Sequence, residues 1–167
     1  MVILWLLGKK HTLMAVVVIA NAYNTLALLI HTGLLTSVLA GLSARTVGDI
    51  LLDVVVMGIA NILIFSVWYW VIDPPGVEEE KPSNEPWVFL FPQRSGALPG
   101  FESWVPRYPD YLFIAFTTSF AFSPTDTLPL TRTAKMLMLL QASISVVTLT
   151  GVAGSAINIL AGTAAGK

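Results

Sequence analysis

Stretches without a formally charged side chain divide the chain into segments. They comprise 34 residues between Lys10 and Arg45, 19 between Asp53 and Asp73, 15 between Asp110 and Asp126, and 31 between Lys135 and Lys167. Because a helix needs about 20 mainly apolar residues to cross the hydrocarbon core of a membrane, the first, second and fourth stretches are long enough and the third is not. The pattern predicts transmembrane helices over residues 12–37, 47–72 and 133–160.

The ends of these helices carry sequence signals. The second ends in "WYW", residues 68–70, and tryptophan and tyrosine favour the headgroup layer of a membrane. "DPP", residues 73–75, follows at once, and a proline disfavours helical geometry in the residue before it. The third helix is predicted to begin after Pro129, with Thr131 as its N-cap.

A proline-rich region separates the second and third predicted helices. Eight of the ten prolines of the chain fall between residues 74 and 109, together with a run of three glutamates and the apolar patch "WVFLF" at residues 87–91. This composition is typical of an irregular, solvated segment. It predicts an aqueous loop over residues 74–107, with Trp87 and Trp104 resting on the membrane interface.

The half-length apolar segment needs a different explanation. Residues 108–122, "YPDYLFIAFTTSFAF", would extend about 22 Å as a helix, which is too short to cross. Pro124 opposes simple continuation. One interpretation is a re-entrant half-helix over residues 108–131, which enters and leaves on one face and is covered by protein. The other is an amphipathic helix lying flat on the membrane, although its apolar residues do not form a single stripe.

Composition supports a lipid environment. The chain has 55% hydrophobic and 11% charged residues and a mean hydropathy of +0.76, whereas soluble domains carry about 25% charged residues. The lipid bilayer is therefore the main expected partner. A net charge of −1 does not favour nucleic-acid binding, which needs a basic surface. The absence of cysteine excludes disulfides and thiol chemistry.

Motifs of enzymatic chemistry are absent from the sequence. It contains no G-x-S-x-G, no H-E-x-x-H and no phosphate-binding glycine loop. The two histidines are twenty residues apart, and no pair of carboxylates clusters around either. We therefore predict that the protein is not an enzyme and has no cofactor and no metal site.

The order of helix, proline-rich loop, short helix, turn and helix resembles the two-helix pore module of potassium-channel-like proteins. "DTLPLT", residues 126–131, is similar to the D-x-x-P-x-T that follows the filter in that family, and Arg132 and Lys135 stand where basic residues open the inner helix. Thr118 aligns with a pore-helix threonine. The resemblance implies a channel-like module over residues 46–160, an N-terminal transmembrane region over 1–45 and a tail over 161–167.

The filter of that family is not matched. Its T-V-G-Y-G would fall on "AFSPT", residues 121–125, which has neither glycine. Because glycines permit the backbone that lines such a filter, potassium selectivity is not expected. The resemblance implies instead a pore mouth or filter-like turn formed by Ser123, Pro124, Thr125 and Asp126. A ring of Asp126 carboxylates would favour cations; the local alternative is an S-x-x-D capping box with proline at the first helical position.

The chain also resembles a group of uncharacterised bacterial multi-pass membrane proteins, in which a "WYW" helix end precedes an "AFSPTDT" loop. That resemblance covers most of the chain and implies a bacterial inner membrane or plasma membrane location. It implies no established activity.

Polar residues within the predicted helices are candidates for function. Gln141, Ser145, Thr148 and Ser155 lie at i, i+4, i+7 and i+14, on one face of the last helix. This stripe either lines a pore or packs against other helices through hydrogen bonds. Both interpretations stay open on the sequence alone.

The first two helices carry their own intramembrane polar residues. Asn21, Asn24 and His31 are predicted to share a face of the first helix, and Asp53 and Asn61 a face of the second. Carboxylates within a membrane are costly and suggest function. Asp53 either pairs with His31 or Arg45, or forms a proton relay with His31.

These features predict an all-α integral membrane protein with three transmembrane helices plus one re-entrant pore-type half-helix. A re-entrant segment needs protein around it, so a homo-oligomer is expected, a tetramer if channel-like. The predicted function is an oligomeric pore for cations or another small solute; the alternative is a non-conducting structural or accessory membrane protein. The positive-inside rule places the 74–131 region in the cytoplasm, whereas the channel resemblance places it outside.

Overall fold

The fold is mostly helical. The computed structural model describes residues 10–40, 47–73, 87–95, 98–101, 103–121 and 127–165. The elements in chain order are α1 (Lys10–Ala40), α2 (Val47–Ile72), β1 (Phe89–Leu90), a 3-10 helix (Pro92–Ser95), α3 (Tyr108–Ala121), β2 (Leu128–Pro129) and α4 (Arg132–Ala165).

Three helices are long and apolar enough to cross a membrane, as the sequence predicts. The qualifying stretches are Met14–Leu34 in α1, Leu52–Ile72 in α2 and Arg132–Thr150 in α4. Large apolar side chains on their outer surfaces are exposed, for example Ile19 at 69%. Such apolar outer faces suit lipid as the solvent, and together with the spans they support a transmembrane protein.

The predicted helix bounds are close to the observed ones. The predicted bounds 47–72 coincide with those of α2, whereas the outer helices run one to five residues further at their ends, Lys10–Ala40 and Arg132–Ala165. The apolar pattern predicts the lipid-spanning part of a helix, and a helix can continue beyond that part at either end. The Thr131 N-cap is confirmed, because the Ala134 backbone N–H donates to Thr131 Oγ1 at 3.2 Å.

The proline-rich region is more ordered than an aqueous loop. Phe89 and Phe91 of the "WVFLF" patch are buried in the core, at 0% and 4% exposure. β1 pairs antiparallel with β2 through Phe89–Pro129 and Leu90–Leu128. The expected aqueous loop is therefore wrong at Phe89 and Phe91, because apolar area and backbone hydrogen bonds both favour packing these residues against the helices. Trp87 is exposed, and Trp104 is half-buried on Phe91.

The short helix α3 lies between α2 and α4. At its start the Tyr108 and Ser66 hydroxyls hydrogen-bond at 2.9 Å, near the end of α2. β2 follows α3 along the chain. Immediately after β2, the Leu130 N–H donates to the Val88 carbonyl at 2.8 Å. Because β1 also packs at the end of α2, both ends of the segment 108–130 lie at the same end of the bundle.

Candidate functional site

Asp73 is the centre of a buried charged cluster immediately after α2. One of its carboxylate oxygens accepts the backbone N–H groups of Val88 at 2.9 Å and Phe89 at 3.3 Å. The other accepts Arg94 Nη1 at 3.0 Å and the Tyr111 hydroxyl at 2.7 Å. Since Asp73 is 1% exposed, this set of donors replaces the water that the carboxylate loses on burial. We call Asp73, Arg94 and Tyr111 the Asp73 cluster.

Aromatic rings enclose the Asp73 cluster. The Arg94 guanidinium lies 5.3 Å from the Trp87 ring centre and 5.5 Å from that of Phe91, both within cation–π range. It also donates to the Phe89 carbonyl at 3.1 Å. Burial, and then the adjacent Asp73 carboxylate, raises the pKa of Tyr111, so the phenol keeps its proton and acts as a donor.

The Asp73 cluster was not predicted from the sequence. Its members are 21 and 38 residues apart along the chain and form no motif. The available signal was an aspartate at a helix end and a single arginine beside an aromatic patch. Neither specifies a partner.

A second, uncharged cluster lies deeper in the bundle, around Gln141, whose side chain is fully buried. Its Nε2 donates to the Ala115 carbonyl and to Ser119 Oγ of α3, each at 2.8 Å. Its Oε1 accepts the Tyr69 hydroxyl of α2. The Gln141 amide therefore joins α4 to both α2 and α3.

Asn61 of α2 extends this cluster along α4. Its Nδ2 donates to Ser145 Oγ at 2.9 Å and to the Gln141 backbone carbonyl at 3.3 Å. Its Oδ1 is buried and has no hydrogen-bond partner. We call Asn61, Tyr69, Ser119, Gln141 and Ser145 the Gln141 layer.

The predicted polar stripe on α4 divides in the structure. Gln141 and Thr148 are buried within the subunit, and Ser145 is half-buried. Thr148 Oγ1 donates to the Ile144 carbonyl of its own helix at 2.8 Å. The contacts of Gln141 support the packing interpretation at that position, while pore lining by Ser145 and Thr148 stays a prediction. The Ser155 side chain lies outside the described part of the structure.

The predicted polar face of α1 also divides. Asn21 is buried against α2 and donates to the Ile64 carbonyl at 3.1 Å. Asn24 and His31 are exposed, and His31 Nδ1 lies 2.8 Å from the Ala27 carbonyl. The physical reason is geometric: positions i and i+3 differ by about 60° around a helix, enough to separate a contact face from an exposed one.

The remaining predicted site residues stay predictions. Asp53 is half-buried on α2, and its relay with His31 stays a prediction. The filter-like residues Ser123, Pro124, Thr125 and Asp126 lie outside the described residues. Within the described residues, no group of three or more histidine, aspartate or glutamate side chains is arranged to hold a metal ion.

A groove opens on one side of the bundle where α3 ends. It has a volume of about 320 Å³ and is bounded by α2, α3 and α4. Its lining includes Val54, Val55, Gly58, Ile59, Asn61, Ile62, Phe116, Ser119, Phe120, Ser145, Thr148 and Leu149. Most of these side chains are apolar. The polar ones belong mainly to the Gln141 layer.

Comparisons of the chain with models of protein families, with curated proteins and with solved structures each gave no match.

Proposed function

We propose that the protein is an oligomeric membrane protein in which segment 108–131 is a re-entrant hairpin beside a pathway for cations or another small solute. One observation carries the proposal. α3 begins beside Asp73 and β2 pairs with β1, so the segment has both ends at one end of the bundle. A segment that crossed the membrane would have its ends on opposite sides.

The depth of α3 fits a half-helix. It has 14 residues and extends about 21 Å, against roughly 30 Å for the hydrocarbon core. Ser119, near its end, contacts Gln141, which lies nine residues or about 14 Å along α4 from Arg132. The C-terminus of α3 therefore lies near the middle of the adjacent spans.

This placement favours positive charge electrostatically. The C-terminal end of a helix carries roughly half a negative elementary charge, and low dielectric surroundings strengthen its effect. A cation near the turn that follows α3 would be stabilised by this dipole. Asp126, four residues beyond Phe122 in the sequence, would add a full negative charge in each subunit.

The hairpin topology can be tested by cysteine labelling, because the chain has no native cysteine. Phe101→Cys and Leu130→Cys place single thiols at exposed positions, the first before the hairpin and the second at its C-terminal end. In sealed vesicles of defined orientation, both should react with a membrane-impermeant maleimide from the same side, and Phe120→Cys should be protected. Labelling of the first two from opposite sides would show that the segment crosses the membrane.

Conduction needs a separate measurement. Purified protein in liposomes should pass cations above the level of empty vesicles, and Asp126→Asn should lower the preference for cations over anions. Glu79→Gln, which removes the same charge from the proline-rich region, is the matched control and should leave the preference unchanged. Equal effects of the two substitutions on the cation preference would show that Asp126 does not line the pathway.

The alternative is a non-conducting structural or accessory membrane protein. It is favoured by the Gln141 layer, because Gln141 uses its amide entirely on contacts within one subunit. A monomeric mass in detergent together with no flux would support this alternative. A defined oligomer with cation flux would support the pore.

A further inference from the structure

The groove where α3 ends combines an apolar lining with a small polar patch. Ser119 and Ser145 both line it, and each hydroxyl oxygen accepts an amide N–H, from Gln141 and Asn61 respectively. Each serine oxygen therefore has a second lone pair and its own proton for a further hydrogen bond. Beside them, Asn61 Oδ1 is a buried acceptor with no donor, and Asn61 is 2% exposed.

From this combination we infer that the groove is a binding site for an uncharged, lipid-soluble molecule with one hydroxyl group. The volume of about 320 Å³ is within the range of small-molecule sites, which are mostly apolar with a few polar groups that fix orientation. The inference does not depend on conduction.

The polar patch selects the chemical class. Asn61 lies 12 residues before Asp73, about 18 Å along α2 and near the middle of the Leu52–Ile72 span. A charged amine or carboxylate is costly at that depth. A bare hydrocarbon would leave the acceptor at Asn61 without a donor, and a ketone or ester would supply no donor either. A hydroxyl both donates and accepts, which suits this acceptor and the two serines.

Access is from the bilayer rather than from water. The groove walls Val55, Ile59, Phe120 and Leu149 are 57%, 54%, 66% and 61% exposed, on surfaces of the helices that face outward. A molecule dissolved in the hydrocarbon core reaches such walls directly.

Gly58 offers a way to close the groove without removing a hydrogen bond. It lines the groove, and a Cβ placed there meets no atom within 4 Å. Gly58→Leu should fill the space with an apolar side chain. Gly33 on α1 also has open space around an added Cβ and does not line the groove, so Gly33→Leu is the matched control for the cost of replacing a helical glycine.

The test uses a photoreactive ten-carbon alcohol with the protein in lipid nanodiscs. Peptide mapping should place the label on α2 near Gly58 and on α4 near Ser145. 1-Decanol should compete with the probe about tenfold better than n-decane at equal concentration in the bilayer, as expected for one additional hydrogen bond. Gly58→Leu should abolish the label, and Gly33→Leu should retain it.

Each outcome decides a part of the inference. Equal competition by decane would overturn recognition of the hydroxyl, because it would leave only an apolar groove. Labelling that persists in Gly58→Leu, or that maps outside the groove, would overturn the site itself. Gly58→Ala, which is too small to fill the groove, should label like the wild type; loss of labelling there would show that the variants act through the fold and would also count against the site.

Discussion

The two polar clusters of the bundle differ in charge and in depth. The Asp73 cluster contains a formal ion pair and lies immediately after the Leu52–Ile72 span. The Gln141 layer contains amides and hydroxyls only, and it lies near the middle of the spans. Ionised groups are most costly at the centre of a bilayer and much less so at its edge, whereas neutral amides satisfied by partners are tolerated at depth. The charged Asp73 cluster therefore lies at the edge of the spans and the neutral Gln141 layer near their middle, as these costs predict.

The clusters also connect different parts of the chain. The Asp73 cluster connects the segment 87–95 and the start of α3 to the end of α2 through hydrogen bonds. The Gln141 layer fastens the deep part of α3 to α2 and α4. Together they hold α3 at both its ends within one subunit. The contacts that position α3 therefore come from its own chain, from Asp73 near its start and from Gln141 near its end.

The largest effect should come from breaking the ion pair. Asp73→Ala leaves Arg94, which is 5% exposed, buried without its carboxylate. Removing one partner of a buried pair costs about 3–5 kcal/mol, so we expect a loss of that size in the free energy of unfolding. Reversible unfolding in mixed micelles with increasing SDS measures it.

A double variant separates the charge from the packing. Asp73→Leu combined with Arg94→Met removes both charges and should recover at least about half of the loss, because no ion is left unpaired. If the Asp73→Ala variant lost less than about 1 kcal/mol, which is typical of an exposed pair, the Asp73 cluster would not be the stronger of the two clusters.

The sequence predicted the helices far better than these clusters. Charge-free stretches and the signals at Asp73 and Thr131 located the three long helices, because membrane thickness imposes a length that any spanning helix must meet. The same rule predicted that the helix over this stretch is too short to cross, since 15 uncharged residues are too few, and α3 has 14 residues. The length of an uncharged stretch therefore indicates whether a helix formed from it can cross the membrane.

The clusters depend instead on contacts between distant residues. The partners of Asp73 come from 15 to 38 positions away, and no local pattern pairs them. The prolines around residues 87–91 predict a loop, although Phe89 and Phe91 lie in the core. Gln141 was placed on the correct helix, but a polar stripe looks the same in sequence whether it faces water or another helix. Tertiary packing decides between them.

A smaller effect is expected in the Gln141 layer. Gln141→Leu removes three side-chain hydrogen bonds, to Ala115, Ser119 and Tyr69. At about 0.6 kcal/mol for each bond within a membrane, the free energy of unfolding should fall by about 2 kcal/mol. Ser143→Ala is the control, since Ser143 is exposed and its hydroxyl bonds only to its own helix, at the Leu139 carbonyl. It should change stability by less than about 0.5 kcal/mol.

The order of the two clusters would be reversed if Gln141→Leu lowered the free energy of unfolding more than Asp73→Ala. The neutral layer would then be the main fastening of α3, and the ion pair would be secondary. Equal costs would mean that depth in the membrane, which strengthens neutral hydrogen bonds, offsets the difference in charge.

The smallest effect is expected from Tyr111→Phe, which keeps the ring and removes one donor from Asp73. Three other donors remain on that carboxylate, so the loss should be about 1.5 kcal/mol, the low end for a hydrogen bond to a charged group. The raised pKa of Tyr111 adds a dependence on pH. The folded chain keeps a proton that the unfolded chain releases above about pH 10, so this contribution is complete below pH 10 and is lost as the pH rises further. Unfolding measured at neutral pH and above pH 10 should therefore show a shallower alkaline decline in Tyr111→Phe than in the wild type, and parallel declines would mean that the pKa of Tyr111 is not raised in the folded chain.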